Sequence, residues 1–459
     1  MPTHLPIYDK ASSLRSDGSR NYVHPADVRG RFDRIRKVTF TALIGLLIAL
    51  PFVQVGGHPA VFLDMQHRHF YLFGATFNAQ DFWLLFFLLS GMGFALIVVT
   101  SIWGRIWCGY SCPHTVFLEG LFRPIERLIE GSRSERLRRN AGPWTFDKIV
   151  RKTIKQVVFF ILAFAIAHLI TAYFVSLPAL YDMLLDKPAD HPEAFAWAAT
   201  LTGLLYFNFA WFREQLCLIV CPYGRLQSVL TDRDTLVIGY DVKRGEPRGK
   251  KGTQGAGDCV DCSRCVVVCP TGIDIRNGLQ IDCIGCARCV DACDEVMFKL
   301  QRPKGLVRYD SQRGLAGGKT HLLRSRLLLY AALGLVGCIA AFFAFSQRTP
   351  FEANLLRLRD TPPFVVDGGR VRNAFEVHIV NKQSHDVVFE LRGKTEGKLT
   401  FTIALPKLQL AELRDQRVPV FIEFATGAAK SGESAEIELL MDGQLVRVLR
   451  APLLAPIQR

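Results

Sequence analysis

The most constraining stretch of this 459-residue chain runs from Asp258 to Asp294. It reads DCVDCSRCVVVCP, a short spacer, then DCIGCARCVDACD. Cys259, Cys262, Cys265 and Cys269 have the spacing C-x2-C-x2-C-x3-C, and Cys283, Cys286, Cys289 and Cys293 repeat it. Three thiolates two residues apart can wrap three corners of one 4Fe–4S cubane, while chain direction carries the fourth toward the other cluster. One cluster is therefore expected on Cys259, Cys262, Cys265 and Cys293, and the other on Cys283, Cys286, Cys289 and Cys269. Zinc also accepts closely spaced cysteines, but eight ligands in a doubled, crossed motif favour two cubanes. Pro270 follows the first motif, whereas Asp294 stands where the second would have proline. Ligation does not need that proline; the potential of the cluster beside it is expected to shift.

The rest of the chain is apolar, with 49% hydrophobic residues and 33 Phe. A bilayer span takes about 20 residues. Runs of that kind lie at Val38 to about Val55, Phe82–Ser101, Gln156–Val175, Phe195–Phe212 and Leu327–Phe345, so five spans are expected. The net charge of +14 then belongs to basic cytoplasmic loops, not to a nucleic-acid surface. The segment between spans two and three is rich in Arg and Lys, as is the one between four and five, and the loops after spans one and three are poor in them. The positive-inside rule places the N-terminus and the cluster stretch in the cytoplasm and the C-terminus in the periplasm. Cysteine usage fits metal binding in a reducing compartment, and the exported tail holds no Cys. Residues 1–37 lack the pattern of a signal peptide.

Residues 241–257 (DVKRGEPRGKKGTQGAG) read as a flexible basic linker. No site for NAD, flavin or nucleotide is found. Gly91-Met92-Gly93 reads as a point of close helix packing. From about residue 350, FEVHIV, DVVFEL, KLTFTIAL, VPVFIEF and AEIELLM alternate in polarity or carry β-branched residues, which predicts a small antiparallel sandwich of roughly seven strands. The fold class is thus a multi-domain membrane protein. A helical bundle of about five spans carries an inserted two-cluster ferredoxin-like α+β module and a C-terminal all-β immunoglobulin-like sandwich. The domains are a cytoplasmic segment (1–37), spans one to four (38–240), the ferredoxin-like module (241–310), a basic linker with span five (311–347) and the exported sandwich (348–459).

Two further motifs carry chemistry. Span two runs into WGRIWCGYSCPH, with Cys108 and Cys112. Span four runs into WFREQLCLIVCPYG, with Cys217 and Cys221. Both are C-x3-C-P after a Trp and an Arg, a weak internal repeat. A spacing of four puts both sulfurs on one helix face, and the residue before Pro is pushed off helical geometry. If the spans are neighbours, four soft thiolates converge at the membrane surface, a set suited to Cu(I) or to redox-active dithiols. His168 lies within the third span, where an ionisable residue is a functional candidate; a neutral His bonded to a neighbouring helix is the alternative. Met65, His67, His69 and His58 in the outer loop could meet a metal ion from outside, although loop histidines are common.

The whole chain resembles the CcoG/FixG/RdxA family of membrane-bound ferredoxin-like proteins, accessory proteins of cytochrome c oxidase assembly. The residues that carry the resemblance are YVHPADVRGRF, the two C-x3-C-P motifs, the run GDCVDCSRCVVVCPTGIDIRNGLQIDCIGCARCVDACDEVM, and RVRNAFEVHIVNK in the tail. It implies two 4Fe–4S clusters on the eight cysteines above and an oxidoreductase that reduces Cu(II) to Cu(I) for the oxidase. Cys108, Cys112, Cys217 and Cys221 match the family's membrane-edge pair and would be its catalytic, copper-holding groups. Implied partners are the lipid bilayer, oxidase assembly factors or copper transporters and chaperones, and an unidentified electron donor, with no nucleic acid. The implied location is the bacterial inner membrane. Two other readings stay open: a quinol-linked electron-transfer protein of the polyferredoxin type, and a copper carrier or assembly scaffold with purely structural clusters.

Overall fold

The computed structural model describes residues 22–65, 68–78, 81–250, 252–358, 361–383, 385–394 and 399–456. The chain forms two compact units, Met1–Leu63 with Phe86–Ala340, and Asp64–Leu85 with Ala341–Arg459.

Helices occupy all five expected span positions, but among the described residues three are long and apolar enough to cross a membrane: Trp83–Trp103, Phe146–Thr171 and Ser325–Ser346. At 1.5 Å per residue, about 20 residues cover a ~30 Å hydrocarbon core. The first helix, α1, is Arg31–Ala49, not Val38–Val55. It starts early because the Asp291 carboxylate accepts the Phe32 and Asp33 backbone N–H groups at 3.2 and 2.7 Å, satisfying donors that an uncapped helix start leaves orphaned. A Cβ on Gly30 would sit 2.2 Å from Asp291 Cγ, so only glycine admits this cap. It stops before Pro51, which has no N–H to continue the ladder. Helix α2 is Phe82–Trp103 and α3 is Phe146–Thr171. Helix α4, Pro192–Tyr206, has 15 residues and continues as a wider π-helical turn, Phe207–Phe212. Helix α5 is Pro222–Leu230, α6 is Arg288–Lys299 and α7 is Ser325–Ser346.

Two expectations fail here. A Cβ on Gly91 or Gly93 would meet nothing within 4 Å and Met92 is exposed, so this stretch presents an open face and not a close helix contact. Residues 241–257 are not a free linker either. The Asp241 side chain caps the short helix Val242–Gly245. Arg244 Nε donates to Asp258 Oδ2 at 2.6 Å, and the Gly249 and Gly257 N–H groups bond to the carbonyls of Cys259 and Pro247. Composition alone hides these bonds, which fold the basic stretch over the first cysteine motif.

The cluster module is closed by an antiparallel pair, β1 (Val237–Tyr240) and β2 (Val307–Asp310). Its buried centre combines Ile238, Ile275, Met297 and Val307 with Cys259, Cys265, Cys269 and Cys289.

The second unit contains an immunoglobulin-like sandwich of nine strands among the described residues, two more than the roughly seven expected. They are β3 (Phe351–Arg357), β4 (Val365–Asp367), β5 (Arg370–Asn381), β6 (Val387–Gly393), β7 (Leu399–Ile403), β8 (Lys407–Leu410), β9 (Asp415–Ala425), β10 (Ser434–Met441) and β11 (Gln444–Pro452). One sheet has the order β7-β9-β5-β3, with β4 also on β5; the other has the order β8-β6-β10-β11. Alternating burial along β5 and β9 sends Val371, Phe375, Val377, Val418, Val420 and Ile422 into the core, as the two-residue strand period requires. In the same unit, Asp81 accepts from Lys382 Nζ at 2.8 Å and Arg348 Nη2 at 2.9 Å.

Candidate cluster and thiol site

The two ferredoxin motifs adopt the same local shape. The residue after the second cysteine of each, Ser263 or Ala287, is left-handed, with φ 52° and 58°, and a helix starts at the next residue. That turn lets the second and third cysteines of each motif face one centre. The mutual influence of the thiols is strongest within two sets. Burial first, then Asp274, Cys262 and Cys259, raises the Cys265 thiol to about 12. Burial, Cys265, Asp294 and Cys259 raise Cys293 to about 12. Burial, Cys286 and Cys269 raise Cys283 to about 12, and Cys289 is raised by burial, then by Cys286, Cys283 and Cys269, and last by Cys265 of the other set. Thus Cys259, Cys262, Cys265 and Cys293 lie together, and Cys269, Cys283, Cys286 and Cys289 lie together. The first set lines one cavity with Tyr240, Met297, Leu306 and Val307. Soft thiols around an apolar void, with no carboxylate in its wall, fit a 4Fe–4S cubane. Asp294, in place of proline, accepts the Gly305 N–H at 2.9 Å and so pins the turn that leads into β2.

The C-x3-C-P motifs are not the ends of regular helices. Helix α2 ends at Trp103, and Gly104 turns the chain with φ 56°. Cys108 then lies in a one-turn helix, Ile106–Tyr110. In the second copy Arg213 makes the break, with φ 52°, and Cys217 lies in a π-helical turn, Leu216–Val220. In both copies the second cysteine donates its N–H five residues back, Cys112 to Trp107 and Cys221 to Leu216 at 2.9 and 2.8 Å. Both then act as the N-cap of a helix with Pro at its first position. The internal repeat is therefore structural, with a wide turn where a straight helix face was expected. All four thiols are near one another: burial raises Cys108 to about 11, with Cys112 and Cys221 adding to it. Cys217 is raised by burial and then by Cys112, Cys108 and Cys221. Among the described residues, no three His, Cys, Asp or Glu side chains converge at single-ion distances, these four included.

This thiol group touches the second cluster set. A Cβ on Gly109, next to Cys108, would lie 2.8 Å from Ile284 O and 2.9 Å from Cys286 Cα. The two backbones are thus in direct contact, and only glycine allows it. Arg105 binds all three pieces together, donating to Gln227 Oε1 and Gly224 O on α5 and to Ile281 O in the cluster loop. Gln227 in turn bonds Cys108 Sγ at 3.5 Å. A buried ion network holds the module in place. Arg288, beside Cys289, donates to Glu119 Oε2 at 3.0 Å. Arg123 donates to Glu119, to Glu214 at 3.0 Å and to Pro270 O at 3.1 Å, next to Cys269. Burial alone would raise the Glu119 carboxyl, but Arg123, Arg288 and Arg36 outweigh it and hold it at about 2. The sequence reading did not single out Gln227, Glu119, Arg123 or Arg288; Arg105 was visible as part of the repeated Trp-x-Arg pattern.

His168 Nδ1 bonds Phe164 O of its own helix at 2.8 Å, not a neighbouring helix. His67 lies outside the described residues. His58 and His69 sit in short strands and Met65 is exposed.

Comparison with known proteins matches three family models: a 4Fe-4S binding domain at residues 84–131, a 4Fe-4S dicluster domain at residues 212–312, and the IG-like fold at the C-terminal of FixG at residues 341–450. The first spans the Cys108/Cys112 motif, and the second spans Cys217/Cys221 and all eight ferredoxin cysteines. The nitrogen fixation protein FixG of Rhizobium meliloti is 36% identical over 422 residues, covering 82% of this chain and 78% of that one. Protein RdxB of Cereibacter sphaeroides is 33% identical, covering 92% and 93%. Protein RdxA of the same organism is 34% identical, covering 81% and 82%. Among solved structures, a FixG-related protein from Vibrio parahaemolyticus aligns with 24% of this chain and all of its own at 12% identity and a TM-score of 0.20, which carries no argument about fold. The full-length relatives, the matched domains and the paired cysteine sets show that this chain is an iron–sulfur redox protein of the membrane and belongs to the FixG/RdxA family.

Proposed function

We propose that this protein reduces Cu(II) to Cu(I) in the service of cytochrome c oxidase assembly, at the thiol group formed by Cys108, Cys112, Cys217 and Cys221. Cys259, Cys262, Cys265 and Cys293 would hold one 4Fe–4S cluster, and Cys269, Cys283, Cys286 and Cys289 the other. Such clusters, when bound, supply single electrons, which matches a one-electron copper step. Gly109 carries the reading: its bare backbone lies against Cys286, so the thiols that would hold copper adjoin a cluster ligand. Arg105 and Gln227 set the position of Cys108 against that loop. Soft thiolates select Cu(I) over harder states, so capture of the product favours the reduction. Burial raises the Cys108 and Cys217 thiols, so copper must displace their protons on binding.

The topology in this proposal has five spans in the bacterial inner membrane, with the cluster module cytoplasmic and the sandwich periplasmic. One ion pair supports part of it. Asp81, ahead of α2, and Arg348, beyond α7, are bonded, so those two segments share a side of the bilayer. Copper transporters, chaperones and oxidase assembly factors are the partners this reading needs.

The test uses full-length protein, reconstituted with iron and sulfide without oxygen and reduced by dithionite. Wild type is expected to carry about eight iron atoms and to reduce Cu(II). Replacing Cys108, Cys112, Cys217 and Cys221 together by Ser should leave the iron content in place and slow copper reduction at least ~10-fold, a loss of about 1.4 kcal/mol of transition-state stabilisation or more. An unchanged rate removes the thiol group from the path.

A further inference from the structure

Beside the second cysteine set lies a cavity of about 370 Å³ to which the copper reading gives no role. Cys283 is the one cysteine in its wall, together with Trp103, Arg105, Gln227, Leu279 and Tyr309. It is therefore not a cluster void, unlike the cavity whose wall holds all four of Cys259, Cys262, Cys265 and Cys293. Its volume falls within the ~300–1,000 Å³ typical of small-ligand pockets, and such pockets pair apolar walls with a few polar groups. Here Leu279, Trp103 and Val237 supply the apolar wall, and Thr231, Gln280 and Arg105 are the polar residues that line it.

The position of the cavity narrows the ligand. Trp103 ends a membrane-length helix and is 43% exposed, the place where Trp marks the bilayer surface. On α5, which forms one side, Leu226 and Val229 are 49% and 67% exposed. An exposed apolar face on the helix that lines the cavity suits the approach of a lipid-borne molecule. Cys283, also in the wall, is one of the thiols that would hold a one-electron acceptor. A redox molecule that lives in the lipid phase and carries two O–H groups on a flat ring matches all of these features.

We propose that this cavity binds the ring of a membrane quinol and that quinol is the electron donor. The proposal rests on the assignment of 4Fe–4S clusters to the two cysteine sets and adds the donor. In balance, one quinol loses both O–H hydrogens and becomes quinone. Two protons pass to water beside the exposed Ser228, and two electrons leave singly past Cys283, one for each of two oxidised clusters.

The experiment adds decylubiquinol to the reconstituted full chain in detergent and follows cluster absorbance, with dithionite as the control. A separate sample without reductant is photolabelled with an azido-quinone. Quinol is expected to bleach the wild-type clusters. Ser228→Trp, which fills the mouth, should slow this at least ~10-fold while iron content and dithionite bleaching stay as they are. The photolabel should fall on the peptides that hold Trp103 or Leu279–Cys283, and excess decylubiquinone should displace it. Clusters that dithionite bleaches and decylubiquinol does not would overturn the proposal, as would labelling that the competitor leaves in place. A failure of dithionite-reduced protein to reduce Cu(II) would instead strike the copper reading and leave quinol-driven bleaching to decide this one.

Discussion

Four of the residues at the buried centre of the cluster module are cysteines: Cys259, Cys265, Cys269 and Cys289. The buried centre of the C-terminal sandwich holds none and is built from Val, Ile, Leu, Phe and Ala. Both centres exclude water, but for different reasons. The sandwich buries hydrocarbon at roughly 25 cal/mol per Å², and paired β-strands supply its backbone bonds. The module buries thiols whose deprotonation burial opposes, up to about 12 for Cys265, Cys283 and Cys293. Its centre is complete only when a metal centre displaces those protons, so its folding is tied to iron. One region is stable as apolar surface alone, and the other is a redox site whose stability and chemistry are the same bonds.

Five experiments probe this contrast. The largest effect is expected from Cys289→Ser. Iron should fall from about eight to about four or fewer per chain, the module should become protease-sensitive, and a fragment spanning the sandwich should survive intact. Iron loss with an equally resistant module would show that its apolar residues suffice without metal. Glu119→Gln removes the carboxylate shared by Arg123, Arg288 and Arg36 and leaves buried guanidinium groups unpaired. A loss of about 3–5 kcal/mol is expected, read as a lower denaturant midpoint for cluster absorbance, with the sandwich unfolding where it did before.

Phe389→Ala empties a fully buried site in the sandwich. It should destabilise that unit by about 3–5 kcal/mol and leave iron content and copper reduction unchanged. Asn373 bonds the backbone of Leu454 in both directions, at 2.9 Å each. Asn373→Ala should loosen the C-terminal end by about 1–3 kcal/mol, read by hydrogen exchange at Leu454. Acid gives the smallest and most graded effect. Glu119 has a folded-state value of about 2, below its ordinary 4.5. Its contribution is whole above about 4.5 and fades as pH falls toward 2. Among the described residues, no Asp or Glu is buried in the sandwich strands, so the module should loosen first. Sandwich unfolding ahead of the module on acidification would contradict this.

Much of the site was legible because spacing along the chain is itself geometry. Three cysteines two residues apart can wrap one centre, and two such runs are expected to cross their fourth ligands. Alternating strands such as FEVHIV declared a β-sandwich for the same reason, since a period of two has one meaning on a pleated sheet. Helix ends and the character of intervening stretches were less legible. Nothing near Arg31 signals that a helix starts there, because its cap is Asp291, far along the chain. The glycine-rich stretch 241–257 looks loose by composition, yet it is held by Asp258 and the carbonyls of Pro247 and Cys259.

Taken alone, the amino-acid order set out two cysteine runs of ferredoxin spacing, three of the apolar runs that form helices of membrane length and the part that folds as a sandwich, because each depends on neighbours within a few positions. Only the tertiary structure decided that Gly109 lies on Cys286, that Arg105 ties both C-x3-C-P turns to the cluster loop, and that a cavity opens beside Cys283 and Trp103. Those contacts join residues more than a hundred positions apart, and close approach of two backbones depends on packing that no local pattern records.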